Sequence, residues 1–147
     1  MRVLVTTNPF GKIDLKPKEM LKKFGEVDYN NLGRKYSQKE IQEKLKKYDP
    51  EIIIAGTEEY DKETLNLCKS LKIISRVGIG VDNLDLKECK KRKIAIANTP
   101  DEPSNGVAEL TIGHMINLLI KIPDMNEDLK KGIWNRYIGK DLSECVV

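Results

Sequence analysis

Short, β-branched apolar runs alternate with helical patterns about five times between Arg2 and Asn98. Arg2 to Thr7 reads as a buried strand closed by Asn8-Pro9, Glu26 to Asn31 as a weaker one, and Glu51 to Gly56, centred on Ile52-Ile53-Ile54, as the clearest. Lys72 to Val77 and Ile94 to Asn98 complete the series. Between them, Pro17 opens a short helix to Phe24 at a first-turn position, where its missing N–H costs nothing. Ser37-Gln38-Lys39-Glu40 is a capping-box pattern ahead of Ile41, Leu45 and Tyr48. Asp61 caps a helix through Ser70 with Leu65, Cys68 and Leu71 on one face, and Asp85 and Glu88 frame another. Repeated strand–helix–strand units join by right-handed crossovers into a parallel sheet with helices on both faces. Strands that are apolar throughout, rather than alternating, agree with two covered faces. The expected class is α/β: a flavodoxin-like parallel sheet of about five strands with flanking helices, in the order 2-1-3-4-5.

Past Asn98 the pattern changes. Ser104 is placed to cap the longest helix, which runs to about Ile122; Pro123 breaks it or starts a new turn, and Asp124 to Lys131 is helical too. Ser143 to Val147 looks like the opening of another strand. At 147 residues the chain has the size of one ordinary domain, and its 39% hydrophobic content suffices for a core.

Several function classes are excluded at this level. The stretch from Val107 to Ile122 carries Glu109, His114, Asn117 and Lys121, whereas a span needs about 20 mostly apolar residues, so no membrane partner is expected. Met1 to Val5 runs straight into Thr6, Thr7 and Asn8, too short an apolar core for a signal peptide. Cys68, Cys89 and Cys145 show neither a pairing pattern nor metal-ligand spacing, which implies no metal and a reducing, cytoplasmic setting. The net charge of +3 is a balance of 26 basic and 23 acidic residues, interspersed, which does not suit a nucleic-acid partner.

One segment carries candidate chemistry. Gly78-Ile79-Gly80-Val81-Asp82-Asn83 contains G-x-G after a strand, but it is not a dinucleotide fingerprint: Asn83 holds the third glycine position, and the segment follows the fourth strand. Two glycines at a strand's carboxyl end let backbone N–H groups approach an anion; a plain tight turn accounts for the same spacing.

Ile74 to Asp85, with this turn at its centre, resembles the substrate-side signature of the D-isomer-specific 2-hydroxyacid dehydrogenases. Ala97-Asn98-Thr99-Pro100, Ser104 to Leu110, Ile122-Pro123 and Gly132-Ile133-Trp134 are similar to the same family at matching spacing, with the nearest likeness to the phosphoglycerate dehydrogenase group. The resemblance implies an NAD-dependent oxidoreductase that moves a hydride between a small 2-hydroxy or 2-oxo acid and nicotinamide. It implies a substrate-binding domain over residues 1–99, and over 100–147 a crossing helix and the lead into an NAD-binding Rossmann domain. No G-x-G-x-x-G occurs in the chain, so the expectation is a chain truncated before that domain and inactive alone, with no catalytic residue of its own. By the same resemblance, Gly78, Ile79 and Gly80 bind the substrate carboxylate, Ile79 also approaches the cofactor, and Asn98, Thr99 and Ser104 form the hinge and cleft edge.

The resemblance also implies a homodimer through the Val107–Ile122 helix. Ala55, followed by Gly56-Thr57, stands where some relatives carry a substrate-binding arginine, which leaves Arg76 and Lys12 as candidates to help. His114 is expected to be a packing or interface residue, and Trp134 to pack under the crossing helix. The alternative is a stand-alone flavodoxin-like module that binds a ligand or partner without catalysis; Thr6-Thr7-Asn8 and Gly56-Thr57 lack the acidic residues of a response-regulator receiver.

Overall fold

In the computed structural model, described over residues 1–145, the first strand β1 (Arg2–Val5) is followed by α1 (Lys16–Lys22), β2 (Glu26–Tyr29), α2 (Gln38–Tyr48) and β3 (Ile52–Ala55). Then come α3 (Lys62–Asn66), β4 (Ile73–Arg76), α4 (Leu86–Lys91) and β5 (Ala95–Ala97). The five strands form one parallel sheet in the order β2-β1-β3-β4-β5, the expected flavodoxin-like arrangement. Each strand is three or four residues long, shorter at its ends than the apolar runs suggest. The chain divides into two units, Met1–Glu102 and Pro103–Val147.

The register explains the core of the first unit. Leu4 lies opposite Ile53, and Ile53 opposite Ile74, so three large aliphatic side chains form one row across the sheet. All three are fully buried against Ile41 and Leu45 of α2, Leu65 of α3 and Cys89 of α4. The other face is less complete. Val3 and Val5 are buried, but Ile52 and Ile54 are half-buried and Ile73 is 38% exposed. The expectation of two covered faces therefore holds on the α2–α4 side only, and edge strand β5 is exposed throughout.

Local capping follows the sequence closely at α2. Ser37 Oγ accepts from the Glu40 N–H, while Glu40 Oε2 accepts from the Ser37 N–H at 2.8 Å. Asp61 and Asp85 cap α3 and α4 by accepting from the Thr64 and Glu88 N–H groups at 2.8 and 2.9 Å. The expected helix from Asp61 to Ser70 is corrected: α3 stops at Asn66. Asp49 Oδ1 accepts from the Lys69 and Ser70 N–H groups at 2.7 and 3.0 Å, and the Arg92 guanidinium donates to the Leu65 and Cys68 carbonyls. Groups that would have continued the helical ladder are thus taken by side chains from elsewhere.

The second unit contains α5 (Ser104–Ile120), α6 (Ile122–Lys130) and a 3-10 turn (Leu142–Glu144). Ser104 is not the cap of α5. The cap position is Pro103, at φ −80° and ψ −13°, and no side chain caps the helix; the proline ring already sets a helical φ there. Lys121, in the left-handed region at φ 57°, separates α5 from α6. Trp134 is also corrected: it is 77% exposed rather than packed beneath the helix. The chain leaves α6 through Gly132, and Asp128 Oδ2 accepts from Asn135 and the Tyr137 hydroxyl, which holds this segment across the α6 end. Ser143 and Glu144 belong to the 3-10 turn rather than a strand, with the Glu144 N–H donating to the Asp141 carbonyl at 3.0 Å. Val146 and Val147, the rest of that expected strand, lie outside the described residues. Among the described residues no helix is long and apolar enough to cross a membrane.

Candidate functional site

A parallel sheet gathers all its carboxyl ends on one edge, and ligands of open α/β sheets collect there. On this edge the turn after β4 is the most elaborated feature. Gly78 is buried, with φ +137°, a conformation L side chains rarely adopt. A Cβ at Gly78 would stand 1.2 Å from Arg76 Nη1, so any side chain here must displace the guanidinium in addition to straining the backbone.

The end of β5 holds this turn. The Gly78 N–H donates to Thr99 Oγ1 at 2.8 Å, and the Thr99 N–H returns a bond to the Gly78 carbonyl at 3.0 Å. Asn98 Nδ2 donates to the Ile79 carbonyl at 2.7 Å. Both carbonyls of the turn are thereby engaged. The Ile79 and Gly80 N–H groups find no acceptor among the described residues. Two adjacent, unengaged amides on a fixed turn can receive an oxyanion. Beside them, Arg76 Nη1 donates to the Val77 carbonyl at 2.7 Å while its buried Nε has no partner, which sets a positive charge at the cradle. On the other side, the Asp82 carboxylate lies over Gly80: an added Cβ would meet Asp82 Oδ1 at 2.6 Å.

Gly78, Ile79, Gly80, Asn98 and Thr99 are therefore brought together. Ile79 keeps its side chain 48% exposed beside the free amides. Ser104 belongs to the second unit, exposed at the start of α5, as are Glu109 and His114 further along it. Ala55 is buried at the end of β3, and Lys12 lies beyond β1, away from the β4 turn.

Beneath the edge lies a polar hub that the sequence reading passed over. Thr6 Oγ1 donates to Glu58 Oε2 at 3.0 Å; Thr6 Oγ1 also lies 2.9 Å from Tyr60 Oη and accepts from the Gly56 N–H at 3.1 Å. With the Thr6 proton given to the carboxylate, Tyr60 is the donor in its pair. All four residues are buried, and burial next to the Glu58 charge pushes the Tyr60 phenol far above its ordinary range. Asn83 Nδ2 donates to the Gly56 and Glu58 carbonyls at 3.3 and 2.7 Å, and the Tyr60 N–H donates to the Asn83 carbonyl at 2.8 Å. Asn83, which breaks the glycine fingerprint, thus ties the β3 loop to the cradle turn. Its one sequence signal is a polar residue where that fingerprint needs glycine.

The model of the family described as "D-isomer specific 2-hydroxyacid dehydrogenase, catalytic domain" matches residues 3–140. D-3-phosphoglycerate dehydrogenase of Methanocaldococcus jannaschii is 32% identical over 133 residues, covering 90% of this chain and 24% of that protein. The enzyme of the same name from Archaeoglobus fulgidus is 34% identical over 108 residues, covering 72% and 20%. Among solved structures, NAD+-bound 3-phosphoglycerate dehydrogenase from Entamoeba histolytica superposes with a TM-score of 0.76 at 32% identity, covering 97% of this chain and 43% of that one. The chain thus spans about a quarter or less of these curated relatives and under half of the solved chain.

Proposed function

The chain belongs to the D-isomer specific 2-hydroxyacid dehydrogenase family, and we propose from that premise that it supplies the substrate-binding part of an NAD-dependent oxidoreductase acting on a small 2-hydroxy or 2-oxo acid. The observation that carries this reading is the cradle: the Ile79 and Gly80 N–H groups, free of acceptors among the described residues, on a turn pinned by Asn98 and Thr99.

In this reading the carboxylate of the acid accepts from those two amides. Charge-assisted bonds to preorganised donors orient the substrate without a buried lysine. Arg76 adds a positive charge at the same place. The half-exposed Ile79 side chain offers an apolar contact to a nicotinamide ring and helps exclude water from it. NAD, when bound, supplies the hydride acceptor. Residues 1–99 form the substrate lobe in this proposal and 100–147 the crossing helix and the lead into a nucleotide-binding domain, with Asn98, Thr99 and Ser104 at the hinge and cleft edge. Cys68, Cys89 and Cys145 are free thiols among the described residues, which suits action in the cytoplasm, where thiols stay reduced.

We further propose that α5 is the homodimer contact. Val107, Leu110, Ile112 and Leu118 are between 49% and 79% exposed, and no residue of the helix is buried. A helix that exposes this much apolar surface all round rarely persists on a monomer. Sedimentation should show concentration-dependent association that Ile112→Glu with Leu118→Glu abolishes; a wild-type monomer at high concentration would refute it.

The cradle is tested by adding glyoxylate to the isotope-labelled chain and following its amide resonances. Saturable shifts confined to Gly78–Gly80 and their Asn98 and Thr99 partners are expected. Saturation without shifts at Ile79 and Gly80, or no saturation, would overturn the assignment.

A further inference from the structure

The same sheet edge carries a second concavity, at the carboxyl ends of β1 and β2. It encloses about 170 Å³ between the loop after Val5 and the loop after Tyr29. Phe10 and Tyr29, whose ring centroids are 6.3 Å apart, supply apolar surface. The polar lining is one-sided. Lys12 and Lys18 face it, together with Thr7, Asn8 and Asn31, and none of the lining residues is acidic.

These groups are uncommitted. Neither Lys12 nor Lys18 forms an ion pair among the described residues, although Lys44, Lys72, Lys91 and Lys130 all do. The side-chain amides of Asn8 and Asn31 and the Thr7 hydroxyl likewise have no partner there. Asn30 differs: its Nδ2 donates to the Thr6 and Arg34 carbonyls at 2.9 and 2.8 Å, and its Oδ1 accepts from the Leu32 N–H at 3.0 Å. It is the strut that holds the wall while its neighbours stay available.

The cavity is also shaped. Lys18 lies along the backbone at Gly11, where a Cβ would stand 2.8 Å from its Cγ, and its Nζ is 5.5 Å from the Tyr29 ring centroid. The Tyr29 hydroxyl is buried without a hydrogen-bond partner. The Lys18 ammonium is therefore held over the aromatic floor by the loop packed against its stem.

We propose that this cavity binds the oxyanion of a small organic ligand, a carboxylate or a phosphate, separately from the β4 cradle. Two unpaired ammonium groups and three free donors meet the charge and the lone pairs of such a group, and the rings accommodate a short carbon skeleton. The site stands two to three strand spacings away from the cradle, about 10–15 Å at the usual strand spacing. Its occupancy does not rest on the function proposed for the cradle.

The test uses the whole labelled chain, titrated with inorganic phosphate in one arm and acetate in the other, at constant ionic strength maintained with chloride. Saturable shifts at the Asn8 and Asn31 side-chain amides and the Lys12 and Gly33 backbone are expected; the arm that saturates at lower concentration identifies the oxyanion. Lys18→Met should weaken binding by about tenfold, the loss of one charge-assisted contact. Lys12→Met, at a solvent-exposed position where folding is not at stake, should weaken it in the same direction. No saturation in either arm, shifts confined to Gly78–Gly80, or affinity unchanged in both variants would overturn the proposal.

Discussion

Gly78→Ala is the most informative single substitution at the cradle. Two costs arise from the structure. The backbone at φ +137° is adopted by an L residue only at about 1–3 kcal/mol. The new Cβ would also stand 1.2 Å from Arg76 Nη1 and 2.5 Å from Cζ, so the guanidinium must leave and give up its 2.7 Å bond to the Val77 carbonyl. That bond is exposed to solvent and contributes about 1 kcal/mol, the ordinary net value of a hydrogen bond. Together the loss is about 2–4 kcal/mol, a large fraction of a domain's usual margin of about 5–15 kcal/mol. With a urea slope of about 1–3 kcal/mol per molar, the midpoint should fall by roughly 0.7–4 M. Arg76→Ala alone should cost about 1 kcal/mol. In the double variant the clash is gone and only the backbone strain is added, so the two losses should not sum. A Gly78→Ala midpoint equal to wild type, or strict additivity with Arg76→Ala, would refute the account of the turn.

Other consequences concern the scaffold. Thr6→Val leaves the Glu58 carboxylate and the Tyr60 hydroxyl buried without their shared partner, and should cost about 2–4 kcal/mol in urea unfolding, whereas Thr6→Ser should cost about 1; equal losses would contradict the hub. Asp49 is held below the ordinary carboxylate range by the Ser70 hydroxyl and backbone N–H, the Lys69 N–H and the Arg2 charge. A depressed folded value means that its contribution is present above the unfolded value of 3.8 and is lost as pH falls through the folded one. Asp49→Asn should therefore lower stability at neutral pH and flatten its decline below about pH 4; an unchanged acid limb would count against this. Burial, with the nearby Asp49 charge, pushes the Cys68 thiol up to about 12, and Cys89 is raised by the same primary cause. Ellman's reagent should find one fast thiol in the native chain, Cys145, and all three in denaturant; fast native reaction at Cys68 would be inconsistent with its burial.

Much of the fold was legible along the chain because its signals act over a few residues. The Ser37–Glu40 box and the Asp61 and Asp85 caps each join groups three apart, so chain order alone brings them into reach. The strand–helix rhythm and the handedness of crossovers led to the five-stranded order, and the β4 turn stood out through its paired glycines. The contacts that set the remaining details span long separations. Asp49 and Arg92 end α3 from about 20 and 25 residues away, and Thr6 meets Glu58 across 52. Thr99 and Asn98 fix the cradle from the end of a neighbouring strand, and the positive φ that calls for glycine at 78 belongs to the turn they pin, with the Arg76 guanidinium laid over it by a rotamer that no spacing encodes. Local dihedral preference and capping are written in adjacent residues. Which distant donor satisfies which acceptor is decided only when the sheet brings its carboxyl ends to one edge.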